Sequence, residues 1–309
     1  MSRIIIPLIL FAVGLILLLK GADIAVRGAE TLAVRAGVSA TTIGLTVVAF
    51  GTSLPELVVS AGAFSRGAYA VGTGNAIGSN IANIGLILGL VILLMPAVCS
   101  YPSCRDRLFT NTLLTLTATA VFALLSLRGT LDWITGILFL LAFSAMLAVM
   151  WRTGAASDPL PDDPCRFPLP LTIAGLVAVV IGAHLLLSGA LEIAELFSIP
   201  PAVVGLSMVA VGTSLPELAT SAVAAMKKSP GIAVGNILGS NIFNLLFVLG
   251  ANSLFFTIPA PDMLNTLIMI GFTLAILPLF IRNTLVTRIW GAVLLSSYAV
   301  YLLFLYGIV

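Results

Sequence analysis

The sequence predicts an all-α polytopic membrane protein of ten transmembrane helices, arranged as two inverted five-helix repeats. Three observations predict it. Hydrophobic residues make up 60% of the 309-residue chain and charged residues only 8%, against roughly a quarter charged in soluble domains. Ten apolar stretches are each long enough to cross a bilayer, which takes about 20 helical residues. One block of sequence is also written twice: residues 44–89 and 205–250 align without a gap at an offset of 161, with half of their positions identical.

The ten stretches are 4–20, 38–64, 71–95, 108–127, 131–151, 169–190, 200–226, 231–257, 263–281 and 289–308. The first has no small-residue cleavage site before Lys20, so it reads as a span and not as a signal peptide. The second, third, seventh and eighth are long and interrupted by Gly, Pro, Asn and Ser. The first five make one repeat, residues 1–151, and the last five a second, residues 169–309. Segment 152–168, rich in Pro and Asp, is the connector. Its Asp158, Asp162 and Asp163 lack the spacing of a calcium loop and read as solvated acids. The duplication extends beyond the central blocks, since Gly21-Ala22 matches Gly182-Ala183 and Gly28-Ala29 matches Gly189-Ala190 at the same offset. An odd number of spans per repeat places the halves in opposite orientations, related by a pseudo-two-fold axis in the membrane plane.

Charge sets the expected orientation. With the N-terminus outside, the inner segments carry Lys20, Arg27, Arg35, Arg105, Arg107, Arg152, Arg166, Lys227, Lys228, Arg282 and Arg288, and the outer ones only Arg3, Arg66 and Arg128. Basic residues accumulate on the cytoplasmic side, so both termini are expected outside a cell membrane. Cys99, Cys104 and Cys165 form no Cys-x-x-Cys pair and imply no metal framework.

The central blocks carry the chemistry. They open Gly44-Leu-Thr-Val-Val-Ala-Phe-Gly-Thr-Ser-Leu-Pro-Glu56 and Gly205-Leu-Ser-Met-Val-Ala-Val-Gly-Thr-Ser-Leu-Pro-Glu217. A carboxylate at membrane depth costs several kcal/mol without a partner, so Glu56 and Glu217 are functional candidates. Pro55 and Pro216 lack an N–H and clash with the preceding turn, so each helix must open there. Carbonyls around Ala49 to Gly51, and around Ala210, are thereby freed, which is tolerated in a membrane only where protein or a wet cavity satisfies them. Thr52 and Ser53, like Thr213 and Ser214, fall within one turn of the break. In the following spans, Gly74-Asn-Ala-Ile-Gly-Ser-Asn-Ile-Ala-Asn83 matches Gly235-Asn-Ile-Leu-Gly-Ser-Asn-Ile-Phe-Asn244. Ser79 and Asn83 share a helix face, as do Ser240 and Asn244. Asn75, Asn80, Asn236 and Asn241 are read either as further ligands or as partners for the opened backbone. Small residues at Gly74 and Gly78 allow close helix approach. His184, the single histidine, aligns with Asp23 and lies outside the acidic motifs.

An all-oxygen, carboxylate-containing set suits hard cations and not the softer metals that prefer thiolate or imidazole. Calcium accepts six to eight oxygens in flexible geometry, and two carboxylates balance its charge. Sodium would favour the neutral hydroxyls and carbonyls nearby.

These duplicated motifs resemble the alpha-repeats of the cation/calcium exchanger superfamily, the sodium/calcium exchangers and their prokaryotic relatives. The resemblance spans essentially the whole chain. It implies calcium on Glu56 and Glu217 with the carbonyls of Thr52 and Thr213. It implies sodium on the same glutamates, on Ser53, Ser79, Ser214 and Ser240, and on the carbonyls of Ala49 and Ala210. Asn83 and Asn244 would border the middle of the site, and the first and sixth spans would slide as a gating pair. With Asn at both 83 and 244, two carboxylates are present and not three, which argues against potassium cotransport. No extra acid stands in 74–83 or 235–244, as it does in the proton/calcium branch. The expected function is sodium-driven, electrogenic calcium antiport by alternating access, with a proton/calcium or other divalent antiporter as the alternative. A channel fits less well, since channels repeat a pore ring about an axis normal to the membrane. No nucleophile–base pair suggests an enzyme. Calcium and sodium are expected as substrates and the lipid bilayer as surroundings. No cofactor or nucleic acid is expected, and the chain is expected to act as a monomer.

Overall fold

The computed structural model describes residues 2–96, 102–154, 164–196, 212–280 and 283–305. The protein is an all-α polytopic membrane protein. In chain order the helices are α1 (Ser2–Ala36), α2 (Ala40–Thr52), α3 (Leu54–Ser65), α4 (Tyr69–Leu94), α5 (Pro102–Ser126) and α6 (Trp133–Thr153). They are followed by α7 (Pro168–Leu196), α8 (Leu215–Met226), α9 (Pro230–Ser253), α10 (Met263–Leu274) and α11 (Thr284–Leu305). Among the described residues, eight helices are long and apolar enough to cross a membrane, or nine if the bent pair α2–α3 is one span. The expected span 200–226 is described only from Gly212, so its first part, including Ala210, lies outside the described residues.

Several helices outrun the apolar stretches that announce them. The first stretch ends at Lys20, yet α1 continues to Ala36 through Asp23, Arg27, Glu30 and Arg35. Lysine, arginine and glutamate are good helix formers, and a single aspartate does not end a helix by itself. Gly37, at φ +66°, does end it, in the left-handed conformation that glycine adopts without cost. Helix α7 likewise runs past residue 190 to Leu196. Lys20, Arg27 and Arg35 therefore lie on a helix and not in a loop.

Two helices form the centre. The best-defined apolar window of α9 is 94% buried and that of α4 72%, against 17–39% for the other long helices. The outer helices keep Leu, Ile and Phe exposed, as a lipid-facing surface requires. Phe255, Val58 and Leu127 are further exposed apolar side chains. Helix α2 crosses α9 at backbone distance: a Cβ on Gly235 would lie 2.5 Å from the Thr41 carbonyl oxygen, and one on Gly239 2.4 Å from that of Leu45. A short antiparallel bridge, Thr130–Leu131 with Ile258–Pro259, ties the α5–α6 turn to the segment before α10.

The other close pair is α1 with α7. Gly14, Gly21 and Gly28 recur every seven residues, and so do Gly175, Gly182 and Gly189. A Cβ added to Gly14 would fall 2.3 Å from Leu186 N; on Gly175, 2.4 Å from Ala25 N; on Gly182, 2.4 Å from Leu18 N. The helices run antiparallel and touch backbone to backbone along this seam. Without a hydrophobic drive between helices in lipid, such close packing holds a pair together.

Candidate cation site

The site forms where two broken helices meet the two central ones. At the first break Ser53 leaves helical geometry (φ −91°, ψ 7°), and at the second Ser214 does the same (φ −87°, ψ 3°). Pro55 and Pro216 start the next helices, and α2 and α3 meet at 41°. Proline thus produces the same opening twice. Within the expected stretch Ala49 to Gly51, the Ala49 carbonyl still accepts from Ser53 N at 3.0 Å. It is the Gly51 carbonyl, four residues before Pro55, that loses its helical donor.

Glu56 and Glu217 are both fully buried. Glu217 Oε1 accepts from Ser53 Oγ of the first half at 2.8 Å and from Ser240 Oγ of its own half at 3.3 Å. Glu56 Oε1 faces Ser79 Oγ at 3.5 Å, a long contact.

The asparagines interlock the halves reciprocally. Thr52 Oγ1 donates to Asn236 Oδ1 at 3.0 Å, and Thr213 Oγ1 to Asn75 Oδ1 at 3.2 Å. Asn75 Nδ2 donates to the Glu56 carbonyl (3.3 Å) and to Ser60 Oγ (3.1 Å). Asn236 Nδ2 donates to the Glu217 carbonyl (3.4 Å) and to Ser221 Oγ (3.0 Å). Asn75 and Asn236 thus each tie the glutamate carbonyl just after a break to a threonine of the other half. Ser60 and Ser221 are site residues that the motifs alone did not single out. They are identical positions of the duplication, four residues after each glutamate, and that identity is the signal that could have found them.

Reciprocity fails at the middle. Asn80 Nδ2 reaches the Asn241 carbonyl (3.2 Å), and Asn83 Nδ2 reaches Asn241 Oδ1 (3.0 Å). Both side-chain polar atoms of Asn244 are buried without a hydrogen-bond partner, as are Glu56 Oε2, Glu217 Oε2, Ser214 Oγ, Asn80 Oδ1 and Asn83 Oδ1. Buried polar groups are nearly always satisfied, so this cluster of oxygens has the chemistry of a hard-cation cradle. Asn83 begins a π-helical stretch, Asn83–Leu88, and Asn244 lies in its counterpart, Phe243–Val248. Such widened turns often mark functional sites.

Of the sequence-predicted ligands, Glu56, Glu217, Thr52, Thr213, Ser53, Ser79 and Ser240 are joined by these contacts. Ala49, Ser214, Asn83 and Asn244 are buried in the same elements, and Ala210 lies outside the described residues. A separate groove of about 700 Å³ runs beside the site between α2, α6, α7 and α9. Phe50, Leu54, Phe143, Leu176, Ile242 and Phe243 line it, and such an apolar surface suits lipid chains, not ions.

A membrane-embedded cradle of paired carboxylates, hydroxyls and amides defines a cation-handling membrane protein. The sodium/calcium exchanger protein family matches residues 6–152 and 167–307, and the chain belongs to that family, whose members are transporters and not enzymes. It is 37% identical to an uncharacterized membrane protein of Methanocaldococcus jannaschii over 94% of this chain and 95% of that one. It is 33% identical to the sodium/calcium exchanger MaX1 of Methanosarcina acetivorans, over 97% and 98%. Its fold matches the solved structure of the sodium-calcium exchanger NCX_Mj soaked with zero Na+ and Ca2+, with a TM-score of 0.84 at 34% identity, over 98% of this chain and 99% of that one.

Proposed function

We propose that the chain is a cell-membrane antiporter that exchanges sodium for calcium by alternating access, exporting calcium electrogenically. The observation that carries this reading is the pair of fully buried glutamates, each set in a half-site whose hydroxyls and amides cross to the other half. Calcium takes Glu56 and Glu217 with the carbonyls of Thr52 and Thr213. Sodium takes the glutamates together with Ser53, Ser79, Ser214 and Ser240 and the carbonyls of Ala49 and Ala210. Asn83 and Asn244 border the centre as neutral amides. The architecture is ten spans in two inverted repeats, 1–151 and 169–309, joined by a cytoplasmic linker, with both termini outside. Helices α1 and α7 slide together against the rest, opening the site to one side at a time.

The test is calcium-45 uptake into proteoliposomes of the purified protein with sodium, potassium and proton gradients imposed separately. Uptake driven by an outward sodium gradient is expected. Uptake that follows only the proton gradient would replace sodium by protons as the driving ion.

A further inference from the structure

The two halves build the same turn after the second part of each broken helix and decorate it differently. After α3, Ala68 N donates to the Ala63 carbonyl (2.9 Å) and Gly67 N to that of Phe64 (3.0 Å). After α8, Ser229 N donates to the Ala224 carbonyl (2.8 Å) and Lys228 N to that of Ala225 (3.0 Å). Gly67 and Lys228 both take the left-handed conformation, at φ +73° and +59°. The backbones are equivalent, so the turns differ in what their side chains can hold.

The α8–α9 turn holds α1. Lys227 Nζ lies 2.6 Å from Asp23 Oδ1 and donates to the Asp23 carbonyl at 3.4 Å. Ser229 Oγ bonds Glu30 Oε1, two turns further along the same helix. The equivalent positions of the first half cannot repeat this. Arg66 and Ala68 stand for Lys227 and Ser229, and His184 and Leu191 of α7 stand for Asp23 and Glu30. Arginine and histidine at these aligned positions are two bases without an acid, and the alanine and leucine side chains cannot form a hydrogen bond. Arg66 and His184 are both exposed.

We infer that Asp23 and Lys227, supported by Glu30 and Ser229, are positioning residues that hold the α1–α7 pair against the α8–α9 turn, giving the transport cycle a built-in preference for the state closed on that side. By the distribution of basic residues that side is the cytoplasmic one, so the resting protein favours the outward-open arrangement. The inference rests on the alternating-access reading above. It gives the duplicated site a direction that its near-symmetric ligands do not supply. The pair is partly exposed, with 28% of the Lys227 and 40% of the Asp23 side chain accessible. A population shift of about 1.4-fold to fivefold is therefore the scale expected from its loss.

The experiment uses the full chain in lipid nanodiscs, with Cys99, Cys104 and Cys165 changed to Ser and nitroxides at Ile6→Cys on α1 and Phe255→Cys on the bundle. Lys227→Met and Asp23→Asn should each enlarge the minor distance population by that factor. The double variant should shift no further than either single one, as two partners in one contact require. Unchanged populations in both single variants, or additive shifts in the double, would overturn the inference. Sodium-driven calcium uptake by the parent, measured in parallel, separates the two failures. Absent uptake with responsive distances refutes the exchange reading, whereas intact uptake with unresponsive distances refutes the latch.

Discussion

At the residue scale, the proposed ligand set gives the glutamates and the serines separable work. Glu56→Gln or Glu217→Gln leaves a doubly charged ion half neutralised in surroundings where charge imbalance is costly. Either change should abolish calcium exchange while the purified protein keeps its helicity and elution volume; wild-type calcium flux in both variants would remove the glutamates from the centre of the site. Ser53 is the hydroxyl that crosses to the opposite carboxylate, at 2.8 Å from Glu217 Oε1. A hydrogen bond to a charged group is worth about 1.5–3 kcal/mol. Ser53→Ala should therefore cost more than about tenfold in apparent ion affinity, and Ser214→Ala, whose hydroxyl has no hydrogen-bond partner among the described residues, should cost less by the same measure. Across Ser53, Ser79, Ser214 and Ser240, alanine substitution should weaken sodium dependence more than calcium binding, checked by calcium uptake titrated with sodium. Equal shifts for both ions would undo the proposed division of ligands.

At the element scale, the prolines and the glycine seam set the geometry. Pro55→Ala restores an N–H to the Gly51 carbonyl and should straighten the break, lowering sodium-dependent uptake with little loss of stability. Gly182→Val places side-chain atoms where a bare Cβ already lies 2.4 Å from Leu18 N. It should lower the thermal unfolding midpoint in detergent by several degrees, since overpacking typically costs about 1–3 kcal/mol. Elements of this kind were unevenly legible in the sequence. The duplicated Gly-Thr-Ser-Leu-Pro-Glu and Gly-Asn-x-x-Gly-Ser-Asn-Ile segments revealed the breaks and the carboxylates, because proline chemistry and the cost of a buried acid are local facts. The extension of α1 to Ala36 was hidden, because hydropathy ends at Lys20 while the helix does not. The π-helical stretches at Asn83 and Asn244 and the hydrogen bond from Ser53 to Glu217 were hidden too. They depend on how the halves meet, which no single segment encodes. The seven-residue glycine spacing was present in the chain, and it became meaningful once α1 and α7 proved to be neighbours.

At the scale of the whole molecule, the two carboxylates fix the charge that crosses the membrane. One calcium or two sodium ions leave the site neutral, and a third sodium, for which the doubled hydroxyls and carbonyls offer room, leaves one positive charge. That charge feels the potential at about 2.3 kcal/mol per 100 mV. In vesicles loaded with sodium, calcium entry then sends one net positive charge outward in each cycle. Uptake should be faster with the interior held positive by potassium and valinomycin, and slower with it held negative. Flux indifferent to both potentials would mean electroneutral exchange.

The glycine seam also has a mechanical consequence. Its teeth repeat about every 10.5 Å on each helix, seven residues at 1.5 Å. Any slip of α1 past α7 shorter than that drives side chains into the facing backbone. The pair is stiff in shear and behaves as one strut, so displacement must be absorbed along its outer edges, where α1 meets α2 and α8. A covalent bridge between α1 and α7, for instance through cysteines at Ala22 and Val179, which share one buried cluster, should leave turnover nearly unchanged. One from α1 to α8 should arrest it. The compliance of the molecule lies around the strut and not within it.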